Sequence, residues 1–275
     1  MEFNQKPLYN NQIRSLQKPW TYQDVLRLSK QSKTPLIKGS RFNIGNLALL
    51  GASVSADFSP LDISNIIVWY DCADFSTITK DGGDLVSQID DKSGNADHLV
   101  QATGTKQPLW VSNGQNGEDD VEFDGIDNEM KLTSFSAGSI SHPRTVFFSA
   151  QEMSGDSQGF FAEDNSDNPR FRTIPTAKYD FFDESGISGG TTDPSVWHVY
   201  TLLFNTTSSD VRRDGSSIFS GTVNTGGLDG LTMGALSSGQ FGDMHLGEFV
   251  LYDKVVSGTE RTDMETYLKN KWGTP

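Results

Sequence analysis

From Leu61 onward, short apolar runs alternate with turns of Gly, Asp, Asn and Ser, at the spacing of roughly 8–12 residues that marks a β-sandwich. The stretch Asn65–Gly125 sets the pattern. It opens on Ile66-Ile67-Val68-Trp69-Tyr70, passes through the turns Lys80-Asp81-Gly82-Gly83 and Asp91-Lys92-Ser93-Gly94-Asn95, and closes on Val121-Glu122-Phe123-Asp124-Gly125. Further strands are predicted over 85–90, 131–135, 145–150, 159–162, 171–174, 178–182, 196–204, 210–214, 217–221, 231–235 and 246–252. In Val196–Phe204 both alternating sets are largely apolar, so this strand should be covered on both faces. Asp214-Gly215 between Val211 and Ile218 is a type I′ hairpin signal. At the C-terminal end Ser257-Gly258-Thr259-Glu260 is a capping box. Met264, Tyr267, Leu268 and Trp272 follow at helical spacing, and Gly273 is the stop. One amphipathic helix therefore closes an all-β domain.

The charge is divided unevenly. The net charge is −14, yet residues 1–60 carry eight Lys/Arg against three acids, +5, which leaves 14 basic and 33 acidic side chains, −19, on residues 61–275. An acidic body argues against nucleic acid as a ligand, because phosphate contacts need Lys and Arg. The longest mild apolar run, residues 44–54, is about half of what a membrane span requires. The first residues, Met1-Glu2-Phe3-Asn4-Gln5-Lys6, lack the basic-then-apolar layout of a signal peptide, so synthesis in a cytoplasm is expected. The single Cys72 forms no intrachain disulfide and reads as a small packed residue beside Trp69.

Residues 1–60 read as a separate N-terminal arm. One short helix is predicted over 22–30, with Thr21 as N-cap, and Pro35 and Gly39 end it. Tyr9, Trp20, Tyr22, Leu26 and Phe42, with the cations Arg14 and Arg27, are large anchors for which a mere spacer has no use. The arm is expected to order against a partner or a neighbouring subunit.

The residues of the body resemble a family. Ile67-Val68-Trp69-Tyr70-Asp71-Cys72-Ala73-Asp74-Phe75-Ser76-Thr77-Ile78 is similar to the opening of concanavalin A-like, laminin-G-like jelly rolls. Asp91–His98 resembles their "DKSGNGNH" turn, Thr103–Trp110 their "ATxxxQPxW" segment, and Val121–Asp127 their "VxFDGxDD" segment. Leu246–Asp253, continued by Ser257, Glu260, Arg261, Tyr267, Leu268, Trp272 and Gly273, is similar to their close. These segments fall in the family's order over residues 64–273. The resemblance implies a two-sheet antiparallel jelly-roll sandwich with one C-terminal helix, here preceded by an extended N-terminal arm with a short helix. Domains of this kind occur in tailed-phage virion proteins and in secreted glycan-binding proteins. The fold also hosts glycosidases, so function has to come from the site.

Asp120, Glu122 and Asp124 share one strand face, the arrangement a glycosidase of this fold needs. The Glu-x-Asp-x-x-Glu spacing of such hydrolases is broken, because Asp127 stands where the last Glu belongs. The face reads better as solvated, with Val121 and Phe123 turned inward. Asp91, Asn95 and Asp97 offer oxygens at alternate positions for calcium, but Ala96 and Ala102 occupy the EF-hand Gly and Glu places, so a turn-forming cluster is the plainer reading. His98, His142, His198 and His245 are scattered, and His198 reads as a packed residue. There is no G-x-S-x-G elbow, Walker loop or dinucleotide fingerprint. The expectation is a non-enzymatic virion structural protein, a capsid decoration or tail or fibre component present in many copies. Its arm would hold other virion proteins and its jelly roll would face outward. The alternative is a carbohydrate- or host-receptor-binding module, with Trp110, Asn113, Asp127 and Asn128 as glycan-binding candidates. A glycosidase is the third reading.

Overall fold

The computed structural model describes residues 58–275 apart from Asp156, Asn165 and Ser238. The predicted arm helix and the anchors Tyr9, Arg14, Trp20, Tyr22, Leu26, Arg27 and Phe42 lie outside the described residues. Seventeen strands, numbered in chain order, form two antiparallel sheets, the two-sheet sandwich that the sequence predicts. The first sheet holds β1 (Ile66–Asp71), β5 (Leu109–Gln115), β6 (Glu118–Asp124), β8 (Arg144–Glu152), β13 (Trp197–Phe204), β14 (Ser209–Arg213), β15 (Ser216–Gly221) and β17 (Asp243–Tyr252). The second holds β2 (Ile78–Lys80), β3 (Val86–Ile89), β4 (Leu99–Val100), β7 (Met130–Leu132), β9 (Gly159–Ala162), β10 (Arg170–Ile174), β11 (Lys178–Asp183), β12 (Ser185–Gly189) and β16 (Leu231–Met233). Helix α1 (Gly258–Trp272) is capped as its sequence predicts. Ser257 Oγ accepts from Glu260 N at 3.2 Å, Glu260 Oε2 accepts from Ser257 N at 2.7 Å, and Gly273 turns left-handed with φ 61°.

The first sheet has an apolar surface on both faces. Val146, Phe148, Ala150, Tyr200, Leu202, Phe204, Phe249 and Leu251 point into the sandwich, where they meet Phe160, Phe161, Phe171 and Tyr179 of the second sheet. Trp69, Phe147, Trp197, Val199, Val250 and Tyr252 point the other way and are covered by Met264, Leu268 and Trp272 of α1. Trp197 and Trp272 stack at 5.3 Å between centroids, with planes 6° apart. Burial on both faces explains why Val196–Phe204 lacks polar alternation.

Strand β17 changes neighbours halfway. Asp243–Leu246 pair with β6, whereas Glu248–Tyr252 pair with β1, and β8 lies along the whole of its other side. A bulge at Gly247 separates the halves and resets the alternation, so Leu246 and Phe249 face the core while Gly247 and Glu248 both face outward. A Cβ on Gly247 would stand 2.5 Å from Ser149 Oγ and 2.7 Å from the Trp272 ring, so this position has to be glycine.

The outer edge of β1 is sealed by the turn at 91–95 instead of by another strand. Asp91 Oδ1 accepts from Trp69 N at 2.9 Å, Lys92 N donates to Trp69 O at 2.8 Å, and Ser93 Oγ and Asn95 Nδ2 donate to Ile67 O at 3.0 and 2.8 Å. Edge groups that would otherwise invite another chain are thereby used up. Asp91, Asn95 and Asp97 have no oxygens arranged around a cation. Asp91 also accepts from Ser93 and Asp97, Asn95 turns its amide nitrogen to the backbone, and Asp97 accepts from Ser136 N at 2.9 Å. No group of three or more His, Cys, Asp or Glu side chains converges as a metal site among the described residues.

Candidate functional site

An open groove of about 300 Å³ lies along the β5–β6 margin of the first sheet. Leu109 of β5 stands opposite Glu122 of β6, and both line it, together with Leu85, Gly104, Thr105, Gln107, Asp124 and Asn128. Period-two alternation turns Glu122 and Asp124 out of the sandwich, because Val121 and Phe123 between them are fully buried in the core. Asp124 ends the strand and builds the wall. Its Oδ1 accepts from Ile126 N at 2.9 Å and Asp127 N at 3.3 Å, and its own N–H donates to Asn128 Oδ1 at 3.2 Å. The opposite loop is fixed by Lys106, paired with Glu129 at 2.8 Å, and by Gln107 Nε2, which donates to Gln101 O at 2.8 Å. The lining combines two leucines with a hydroxyl, two carboxamides and two carboxylates, and it contains no cation.

The structure divides the acidic face that the sequence joins. Asp120 was expected to be solvated with Glu122 and Asp124, but it is fully buried. It lies beneath Gly114, where a Cβ would come within 1.8 Å of Asp120 Oδ2, and its Oδ1 is 2.8 Å from His245 Nδ1. Burial raises the Asp120 carboxyl above its ordinary value, against the pull of His245. Burial works against protonation of His245, but Asp120, Glu122 and Asp243 overcome it, so the imidazole titrates above its ordinary value. The carboxyl with the shifted proton affinity is thus sealed away from the groove, and Glu122 and Asp124 are the acids in reach of a ligand.

The four glycan-binding candidates do not meet. Asn128 lines the groove. Trp110 lies opposite Val121 and packs against the core, with Phe75 at 5.5 Å and Lys80 Nζ 4.7 Å above its ring. Asn113 is exposed in the irregular end of β5, its N–H on Asp119 Oδ1 at 3.0 Å, and Asp127 is half-buried in the turn after β6. Thr105 and Gln107 were missed because they lie in an irregular segment with no periodicity, and Leu85, read only as the start of a strand, was missed because its bridge to Leu109 brings together residues far apart in sequence.

Other buried charges hold the fold together. Glu248, fully buried, accepts from Trp69 Nε1 at 2.6 Å, Tyr267 OH at 3.0 Å and Lys271 Nζ at 2.7 Å. Lys271 reaches on to Asp71 at 2.5 Å, and Lys92 joins Asp71 and Asp74 at 2.9 and 2.8 Å. Arg144 and His142 converge on Asp183 Oδ2, each at 2.5 Å, and burial pulls the Arg144 guanidinium down to about 10. Glu152 accepts from Tyr179 OH at 2.9 Å and Asp193 N at 2.7 Å, deep between the sheets, and burial raises its carboxyl. His198 is buried as expected and bonds Asp214 at 2.6 Å.

No protein-family model and no curated protein matches this sequence. Solved structures do. Domain 4 of AbnA, a GH43 extracellular arabinanase from Geobacillus stearothermophilus, determined in complex with arabinotriose, superposes with a TM-score of 0.53 at 14% identity over 73% of this chain and 98% of that domain. Trypanosoma rangeli sialidase in complex with sialic acid gives 0.53 at 11% identity, over 84% of this chain and 40% of the sialidase. The binding domain of botulinum neurotoxin serotype D/C gives 0.53 at 13% identity, over 78% of this chain and 56% of that domain. At these identities the likeness establishes the β-sandwich fold, and this chain spans less than half of the sialidase.

Proposed function

We propose that residues 58–275 are a non-catalytic recognition domain whose β5–β6 groove binds carbohydrate. The observation that carries this reading is the groove lining: hydrogen-bonding side chains of both senses set beside the aliphatic faces of Leu85 and Leu109, which is the surface a polyhydroxylated ring needs. The burial of Asp120 supports binding over hydrolysis, since it removes one carboxylate of the face that a glycosidase would use. Two fold neighbours, the arabinanase domain with arabinotriose and the sialidase with sialic acid, were determined with sugars bound, which agrees with this reading. The test is a glycan array followed by calorimetry on the full chain, with and without a calcium chelator. Binding that is weakened by Glu122→Ala, with melting temperature and circular dichroism unchanged, supports the groove. An array without a single binder overturns it.

A second observation favours a place for this domain in a larger assembly. Residues 1–60 carry +5 and the anchors Trp20, Tyr22, Leu26 and Phe42, against −19 on the rest of the chain. We propose that this arm attaches the domain to a virion of the tailed-phage type, in many copies, so that weak individual sugar contacts add up. A full-length variant with these four anchors changed to alanine should fold and bind glycan, yet leave the particle fraction in sedimentation. Full retention on particles would refute the attachment.

A further inference from the structure

The groove carries charge of one sign. The Glu122 side chain has no hydrogen bond or ion pair to another described residue, although His245 stands opposite it across β6 and β17 and feels its charge, and Asp124 uses Oδ1 for its turn and leaves Oδ2 without a hydrogen-bond partner among the described residues. Asp243 pairs with Asp124 across β6 and β17 and adds a third carboxylate beside the wall. The cations nearest in sequence are committed elsewhere, Lys106 and Lys131 to Glu129 and Lys80 to Asp84. A second feature points to a ligand independently of these acids. Asn128 is only 7% exposed, yet its Nδ2 has no partner among the described residues, although the residue lines the groove. That nitrogen is open to solvent in the groove, where a ligand oxygen can accept from it.

Resting on the carbohydrate reading above, we infer that the groove selects a glycan bearing a free amine, of the glucosamine class. The ammonium would sit between Glu122 and Asp124, and a neighbouring hydroxyl would accept from Asn128 Nδ2. An ammonium offers three donors to carboxylates that lack them, and charge-assisted bonds of this kind are about twice as strong as neutral ones. Uronic, sialic and sulfated sugars would bring a like charge into a groove without a cation, on a body that already carries −19. Sugars of that acidic class are therefore excluded, even though the fold is shared with a sialidase.

The experiment titrates the full chain by calorimetry with three oligosaccharides of matched length: glucosamine, N-acetylglucosamine and glucuronate oligomers. The expected result is binding of the glucosamine oligomer, about tenfold weaker for the N-acetylated form and about tenfold weaker again in E122Q, the scale of one charge-assisted hydrogen bond. D124N keeps the turn-capping oxygen and serves as a second variant should E122Q lose its fold. Affinity should also fall as salt is raised from about 20 to about 500 mM, through screening. Equal, salt-insensitive binding of glucosamine and N-acetylglucosamine oligomers would overturn charge selection while the groove reading stood. Binding of none of the three, together with an empty glycan array, would remove both. Displacement of the oligosaccharide by equimolar lysine methyl ester would overturn the assignment to a sugar.

Discussion

Replacing Lys271 by methionine removes the charge at the centre of the clasp between α1 and the first sheet. Lys271 Nζ lies 2.7 Å from Glu248 Oε2 and 2.5 Å from Asp71 Oδ1. Methionine keeps most of the apolar stem, so the loss is electrostatic. Asp71 retains Lys92 at 2.9 Å, but Glu248 is fully buried and is left with neutral donors alone, Trp69 Nε1 at 2.6 Å and Tyr267 OH at 3.0 Å. Breaking a buried pair from one side costs about 3–5 kcal/mol, and the two surviving donors place this case at the lower end, ~3 kcal/mol. For a domain of this size that lowers Tm by about 6–12 °C. Burial raises the Glu248 carboxyl and Lys271 opposes the shift. Without Lys271 it must rise further. A carboxyl whose folded pKa lies above its unfolded value binds its proton more tightly in the folded state. The deficit of K271M should therefore narrow as pH is lowered from about 7 to about 5. The double variant E248Q/K271M leaves no uncompensated charge and should lose about 1 kcal/mol. Urea denaturation of the wild type, K271M, E248Q and the double variant at two pH values is the assay. A K271M deficit under about 1 kcal/mol, or a double variant that loses the sum of the singles, would show that the pair does not act as a unit.

Three further outcomes follow from named contacts. Gly247→Ala drives a methyl into Ser149 Oγ and the Trp272 ring and should cost about 1–3 kcal/mol, with a change in the near-ultraviolet dichroism of the Trp197–Trp272 stack. Asp91→Ala deprives Trp69 N of its acceptor at the outer edge of β1 and should cost about 2 kcal/mol in urea titration, whereas Asp91→Asn, which keeps Oδ1, should cost less. His245 titrates above its unfolded value, so its contribution is complete below about pH 6.5 and is lost as pH rises through the folded value. His245→Gln should therefore destabilise the protein more at about pH 6 than at about pH 9, and equal losses would sink that assignment.

The sequence showed the long elements and hid the short ones, for physical reasons. β8, β13 and β17 cross the centre of the sheet and carry eight to ten residues each of apolar pattern. α1 announces both of its caps. β2 and β4 have three and two residues, too few to show a period. β12 reads Ser-Gly-Ile-Ser-Gly and β5 ends Ser-Asn-Gly-Gln, turn-like compositions that strands at a sheet edge tolerate. At the site, Glu122 and Asp124 were legible because period two fixes their face. Asp120 has the same parity, but parity says nothing of what lies above a strand, and the end of β5 folds over it at Gly114. Trp110 looked like a ligand platform only while its partner Val121 was unknown.

The outer face of the first sheet is divided at Gly247, and the division separates what the resemblance reports from what the groove does. On the β1 side of the bulge, Trp69, Asp71, Lys92, Glu248 and Lys271 close on one another beneath α1, and three of the resembling segments supply these residues. On the β6 side, Asp243 and His245 stand beside the open β5–β6 margin, where the lining comes partly from loops. A chain that keeps the clasp keeps the sandwich whatever its loops contain. Two members with the same signature can therefore present different grooves, and a likeness carried by the clasp predicts architecture and leaves the ligand open. The ligand has to be argued from Glu122, Asp124, Asn128 and the loops opposite them, because these residues line the groove and keep polar atoms that the fold does not use.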